Sequence, residues 1–68
     1  MNLIPVNSSN VAAIGYESGT LVVKFNNNSL YQYFNVPENV FRAFLNASSK
    51  GKFLHQNIKN HYAYRRII

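Results

Sequence analysis

The sequence predicts an α+β domain in which a three-stranded antiparallel meander is followed by two helices packed on one face, in the order βββαα. Two observations support this fold class. Before Pro37, apolar residues alternate at the period of a strand, and after it they recur at helical spacing. Pro37 itself suits the first helical position, where its missing N–H costs nothing. The 68 residues are expected to form one domain, 1–68.

Three strands are predicted, at 11–16, 21–26 and 30–34. Gly19 favours a hairpin turn before the second strand, and the asparagines at 26–28 favour a turn after it, because both residue types tolerate the left-handed region. Gly15 is expected to mark either a β-bulge or a close approach of the backbone. Residues 1–10 are expected to be a lead-in, in which Ser8, Ser9 and Asn10 form a turn or a cap.

Two helices are predicted, at 37–47 and 50–60. The first carries an apolar stripe at helical spacing. Ser48 and Ser49 are expected to separate the helices and to cap the second, and Asn60 to end it. The predicted core combines apolar residues of the second strand and both helices: Leu21, Val23, Phe25, Val40, Phe41, Phe44, Leu45, Phe53 and Ile58.

Basic residues outnumber acidic ones and are concentrated at one end of the sequence. There are seven Lys and Arg residues against two acids, Glu17 and Glu38, and the net charge is +5. The basic residues that follow residue 49 are Lys50, Lys52, Lys59, Arg65 and Arg66. A one-signed field of this kind attracts polyanions, of which RNA and DNA are the commonest. The alternative interpretation is a solvated face that keeps the protein soluble.

The residues that most enzymes use for catalysis are scarce. The sequence has no cysteine and no aspartate, which excludes disulfides, thiolate zinc sites, cysteine nucleophiles and a Ser-His-Asp triad. His55 and His61 are six positions apart, a spacing that does not place both on one face of a helix. We therefore expect a protein that is not an enzyme, with no catalytic residues, no metal and no cofactor.

The sequence also indicates a compartment. No run approaches the ~20 apolar residues that span a bilayer. Residues 1–6 lack the basic and apolar regions of a signal peptide. The absence of cysteine fits a reducing environment. We expect a cytoplasmic protein without a membrane partner.

The run Ser49-Lys50-Gly51-Lys52 is the main candidate binding site. Backbone N–H groups at a helix N-terminus bind phosphate, and two lysines would add charge. A capped helix with two solvated lysines is the alternative. Other residues could extend the site as a basic, aromatic track with one added polar contact: Lys59, Arg65 and Arg66, Tyr62 and Tyr64, and Asn57.

Tyr31 and Tyr33 alternate along the third predicted strand and therefore share a face. Their rings could lie exposed on the sheet and stack on bases. The interpretation that we favour is that both rings pack in the core, because a small domain needs them to fill its interior.

Taken together, several short motifs resemble the KTSC domain, which is named for its occurrence at the C-terminus of some lysyl-tRNA synthetases. The matching residues are Ser8-Ser9, Gly15-Tyr16, Leu21-x-Val23-x-Phe25, Tyr31-x-Tyr33, Val36-Pro37, Ala47-x-Ser49-Lys50-Gly51, Phe53, Ile58 and Tyr62. His55 stands where the family frequently has asparagine, and Ala63 where it frequently has proline. The resemblance implies a standalone version of this domain. It brings no catalytic residues, and RNA binding is the function usually suggested for the family.

The sequence thus predicts a small nucleic-acid-binding module without catalytic activity, for RNA in preference to DNA, acting through a basic C-terminal helix and tail. The alternative is a protein-interaction or oligomerisation module, because a partner can complete a small core. An exposed sheet face with Val22 and Leu30 would serve that role. The expected oligomeric state is a monomer or a weak homodimer.

Overall fold

The computed structural model describes residues 2–68. Its elements are β1 (Ile4–Pro5), β2 (Val11–Glu17), β3 (Thr20–Phe25), β4 (Leu30–Tyr33), α1 (Glu38–Asn46), α2 (Lys50–Phe53), a π-helical segment (Leu54–Ile58) and β5 (Tyr64–Arg66). The strands form one antiparallel sheet in the order β1-β2-β3-β4-β5. No helix in this described part of the chain is long and apolar enough to cross a membrane.

The α+β class is confirmed, but the predicted three-stranded sheet is wrong, because the sheet has five strands. β1 forms inside the predicted lead-in and pairs Ile4 with Ile14 and Pro5 with Ala13. β5 forms in the predicted basic tail and pairs with β4. These strands are two and three residues long, too short to show an alternating pattern. These segments form strands because they pair with a neighbouring strand, and not because of their local sequence.

The bulge in β2 lies at Ala12 and not at Gly15. The pairing of β2 with β3 skips Ala12, which is therefore the extra residue. The carbonyl oxygen of Ala12 accepts a hydrogen bond of 3.1 Å from the N–H of Val6. Gly15 instead pairs regularly with Val22. The bulge thus helps to attach the lead-in to the edge of β2.

Left-handed backbone occurs where the sequence predicts turns. Ser18 and Gly19 both have positive φ, 51° and 85°, in the two-residue hairpin between β2 and β3. Asn28 has φ 71° in the second turn, and Asn60 has φ 67° shortly after the π-helical segment. Small or polar residues that tolerate this region therefore set both hairpins.

Both predicted helices are present, with different details. Pro37 is the residue that precedes α1 rather than its first helical residue. Ser49 caps α2 as predicted, and its Oγ accepts a hydrogen bond from the N–H of Lys52 at 3.3 Å. After Phe53 the helix widens, and the N–H of Lys59 donates to the carbonyl oxygen of Leu54, five residues earlier, at 2.8 Å. The π-helical turn therefore ends the second helix at Ile58 rather than at 60.

One side of the sheet and the helical segments share a single apolar core. All nine predicted core residues belong to this core or pack against it. The predicted list leaves out five fully or nearly fully buried members, Val11, Ile14, Tyr33, Val36 and Leu54, of which Tyr33 was separately predicted to pack in the core. Tyr16 links sheet to helix, because its ring stacks on Phe41 at 4.8 Å and its hydroxyl donates to the Val36 carbonyl oxygen at 2.6 Å.

The opposite side of the sheet is here called the open face, and the apolar residues on it are less exposed than predicted. Gly15, Val22, Gln32 and Arg65 lie in one register row across β2 to β5. Val22 is only 6% exposed, and Leu30 is half-buried. The predicted exposed apolar face with Val22 and Leu30 is therefore wrong, because Val22 is buried and Leu30 is only partly exposed.

Candidate nucleic-acid interface

Three adjoining clefts form one surface groove, here called the groove. The first cleft lies between residues 7–10 of the lead-in and residues 48–52 at the start of α2. Gly51 and His55 line both this cleft and the second one. Lys59 lines both the second and the third cleft, which ends among tyrosine rings. A helix and a loop distant in sequence thus line a series of adjoining clefts.

The first two clefts meet where Gly51 faces Asn10. A Cβ atom at Gly51 would lie 2.7 Å from Nδ2 of Asn10, closer than real contacts allow. The backbone of Asn10 is held on both sides, since its N–H donates to Ser8 Oγ at 3.2 Å and its carbonyl oxygen accepts from the N–H of Asn26 at 2.9 Å. Gly51 therefore permits the close approach of the loop to the helix.

Basic side chains line the groove along its length. Lys50 and Lys52 line the first cleft, and Lys59 lines the other two. Lys50 is partly engaged, because its ammonium donates to the carbonyl oxygen of Ala47 at 2.5 Å, at the end of α1. Lys52 and Lys59 are more exposed than Lys50, so they are the lysines of the groove that are most accessible to a ligand.

Neither acid of the chain lines the groove. Glu38 forms an ion pair with Arg42 on α1, at 2.6 Å. Glu17 lies at the end of β2, opposite Thr20 in the hairpin. The groove therefore has one sign of charge, which favours an anionic ligand.

Tyrosine rings form the far end of the groove. The ring centroids of Tyr31 and Tyr33 lie 6.4 Å apart, and Tyr64 lies 5.9 Å from each of them. Tyr33 is buried, Tyr31 is half-buried and Tyr64 is 60% exposed. Burial raises the pKa of Tyr33 above its ordinary 10.0, and the neighbouring Tyr31 and Tyr64 raise it further. The favoured prediction that Tyr31 and Tyr33 pack against the core is confirmed.

Arg65 and Arg66 lie on opposite sides of the sheet, because successive residues of a strand point to opposite faces. Arg66 pairs with Tyr31, and its guanidinium lies 5.9 Å from the centre of that ring. Arg65 pairs with Gln32 and therefore lies on the open face. Only Arg66 reaches the aromatic end of the groove.

The structure brings together most of the predicted binding residues and separates the rest. Those that line the groove are Ser49, Lys50, Gly51, Lys52, Lys59 and Tyr64. Arg66 adjoins them through Tyr31. Three do not line it: Arg65 lies on the open face, Tyr62 packs against the core, and Asn57 is exposed on the π-helical segment.

The predicted site residues do not include one wall of the groove, which residues 7–10 provide, or His55 on the helical wall. The polar run at 7–10 was a usable signal, but a turn was its simpler interpretation. At the predicted phosphate site at the start of α2, fewer backbone N–H groups are available to a ligand than expected, because the N–H of Lys52 already donates to Ser49 Oγ. Within residues 2–68, no three His, Cys, Asp or Glu side chains are grouped so that they could hold a metal ion.

The chain is thus a small α+β domain with a net charge of +5 and a series of adjoining surface clefts. The chain belongs to the KTSC domain family, whose family model matches residues 7–62. This match confirms the family resemblance in the sequence.

Relatives include both whole small proteins and a part of a larger enzyme. A lysine–tRNA ligase of Nostoc sp. is 36% identical over 67 residues, which are 96% of this chain but only 12% of that protein. An uncharacterized protein of Stutzerimonas stutzeri is 39% identical over 70 residues, covering 98% of this chain and 99% of its own. The crystal structure of a KTSC domain protein from Yersinia pestis is 36% identical, with a TM-score of 0.94 and 98% and 97% of the two chains covered.

Proposed function

We propose that this protein is a small RNA-binding module whose groove holds the phosphate backbone of a single strand. The observation that carries the proposal is the distribution of charge. Lys50, Lys52 and Lys59 line the groove, whereas Glu17 and Glu38 do not. Lysines that neutralise phosphates release counterions, and this release supplies most of the affinity of sequence-independent binding.

A single strand fits the groove better than a duplex does. The groove is a run of clefts that begins between a loop and a helix and has an exposed tyrosine at the other end. Proteins that bind single strands combine a basic path for the backbone with aromatic rings for the bases. We favour RNA over DNA because a lysine–tRNA ligase contains a region similar to this chain. That association is an argument by analogy.

We place this function in the cytoplasm, since a chain without cysteine is compatible with a reducing compartment. The role that we propose is binding alone, with no catalytic step. It needs neither a metal ion nor a cofactor, because the lysine ammonium groups supply the positive charge.

The experiment that tests the proposal compares two double charge reversals. Lys52→Glu with Lys59→Glu changes the groove, and Lys24→Glu with Arg65→Glu changes the open face. Each pair subtracts four charges from +5 and leaves +1, so both variants have the same net charge. Binding of a fluorescently labelled eight-nucleotide single-stranded RNA is measured by anisotropy at low salt.

We expect the groove variant to lose binding and the open-face variant to retain most of it. At physiological salt the wild-type Kd should fall in the range of about 10⁻⁴ to 10⁻⁶ M that is typical of sequence-independent binding, and at the low salt of the assay it should be lower. Equal losses in both variants would show that net charge alone attracts RNA, and would refute the groove as the binding surface. Binding of the wild type to a DNA strand of the same length and base sequence, measured in the same way, tests the preference for RNA over DNA.

A second candidate function is binding to another protein chain, and it has support at a different place from the one that the sequence predicted. β5 is an edge strand, and the Ile67 and Ile68 side chains beside it are 46% and 66% exposed. Such an edge can pair with another strand. Light scattering over a concentration series tests self-association, and a constant monomer mass would exclude it.

A further inference from the structure

The third cleft differs in chemistry from the rest of the groove. Four of its eight lining residues are aromatic, Phe25, Tyr31, Tyr33 and Tyr64, and the other four are polar or charged. Its volume is about 430 Å³, within the range of roughly 300–1,000 Å³ that is usual for small-ligand sites. Lys59 lies at its junction with the second cleft. A flat aromatic group with an adjacent negative charge would match both features.

Tyr64 is the ring that remains available to a ligand. Tyr33 is 2% exposed and is therefore committed to the core, whereas Tyr64 is 60% exposed. Tyr31 already has Phe25 at its edge, at 5.4 Å, and the Arg66 guanidinium over its face. The plane of the Tyr64 ring is tilted by 32° from that of the Tyr31 ring, so the two rings are not parallel. The exposed Tyr64 ring therefore lines one side of the cleft.

We propose that the third cleft binds one unpaired nucleobase against Tyr64, with the adjoining phosphates of the strand near Lys59 and Arg66. This inference rests on the proposed function and names the part of the RNA that the aromatic end takes. A base within a duplex is stacked on both faces and paired at its edge, so it cannot offer a face to the ring. The cleft thereby makes the site selective for single-stranded or looped RNA.

The path of the strand follows from the order of the clefts. Lys59 lies between the aromatic cleft and the second cleft, which leads to Gly51 and the first cleft. A strand whose base occupies the third cleft can therefore continue over Lys59 towards Lys52. A base that stacks on an aromatic ring strengthens binding by at least about fivefold.

The test compares two strands with the same number of phosphates. One is a four-nucleotide uridine RNA, and the other is a ribose-phosphate strand of equal length that lacks every base. Both are titrated into the wild type, Tyr64→Ala and Tyr64→Phe, with tyrosine fluorescence and isothermal titration as readouts. Tyr64→Phe retains the ring and is the matched control for stacking.

We expect the wild type and Tyr64→Phe to bind the uridine strand at least about fivefold more tightly than the strand without bases. In Tyr64→Ala the two strands should bind alike. Equal binding of both strands by the wild type would overturn the base subsite and leave the proposed function intact. A preference that persists in Tyr64→Ala would overturn the assignment to Tyr64. Binding of neither strand by the wild type would refute the proposed function itself.

Discussion

Replacing Lys59 with alanine is expected to weaken RNA binding and to reduce its dependence on salt. Lys59 lines the second and third clefts, so a strand in the groove passes it on the way from the aromatic end to α2. Its side chain is exposed, and its structural role is a backbone hydrogen bond that alanine retains. The variant therefore removes one phosphate contact and should leave the fold intact.

The magnitude follows from the number of basic residues that contact phosphate. Each phosphate contact on a single strand contributes about −0.7 to the slope of log affinity against log salt. Contacts from Lys50, Lys52, Lys59 and Arg66 give a slope of about −2.8, which is an affinity loss of about 50-fold between 50 and 200 mM salt. Without Lys59 the slope becomes about −2.1 and the loss about 18-fold.

Fluorescence anisotropy with labelled single-stranded RNA across that salt range measures both slopes. Lys24→Ala is the matched control, because Lys24 belongs to β3 and alternates with the core residues Val23 and Phe25, which places it on the open face. Its slope should equal that of the wild type. A flat salt dependence in the wild type, or the same change in slope for both variants, would refute the reasoning.

Three further predictions concern the two arginines, the buried tyrosine and the glycine contact. Arg66→Ala should weaken RNA binding by up to about fivefold, because it removes an exposed ion pair with phosphate worth up to about 1 kcal/mol. Arg65→Ala should have little effect, and equal effects of the two variants in the same anisotropy assay would contradict the assignment of faces. The raised pKa of Tyr33 means that the unfolded chain ionises first, so the free energy of unfolding should fall as the pH rises above about 10. Urea denaturation at several alkaline pH values should show a smaller fall for Tyr33→Phe, and an unchanged fall would contradict this cause. Gly51→Ala should stabilise the helix by up to about 1 kcal/mol when Asn10 is also alanine, but by less in the wild type, where the new Cβ meets the Asn10 amide. Thermal unfolding of the wild type, Gly51→Ala, Asn10→Ala and the double variant measures the coupling between the two positions. Equal gains in stability from Gly51→Ala with Asn10 and with Ala at position 10 would exclude the contact.

The central part of the fold is encoded in local patterns and could be predicted. The alternation of Leu21, Val23 and Phe25 and the helical spacing around Phe44 each persist long enough to identify an element. The edge strands could not be predicted in this way. Pro5 and the paired arginines of β5 disfavour a strand locally, and the sheet holds these segments only through long-range pairing.

The groove was predictable from one side only. Basic residues at 50, 52 and 59 were visible in the sequence as a charge cluster. The opposing wall at residues 7–10 depends on the approach of Asn10 to Gly51, a tertiary contact with no local pattern. The opposite placement of Arg65 and Arg66 likewise depends on β5, because an irregular tail has no alternating faces.

The most direct test of the account is a chemical-shift titration of isotopically labelled protein with short single-stranded RNA at low and at moderate salt. We predict that the backbone amides of Gly51, Lys59 and Tyr64 shift at low salt and that the shifts shrink as salt rises. The amides of Gly15 and Gln32, on the open face, should stay unchanged. Absence of any shift at low salt, or shifts confined to the open face, would contradict the claim that the groove binds RNA.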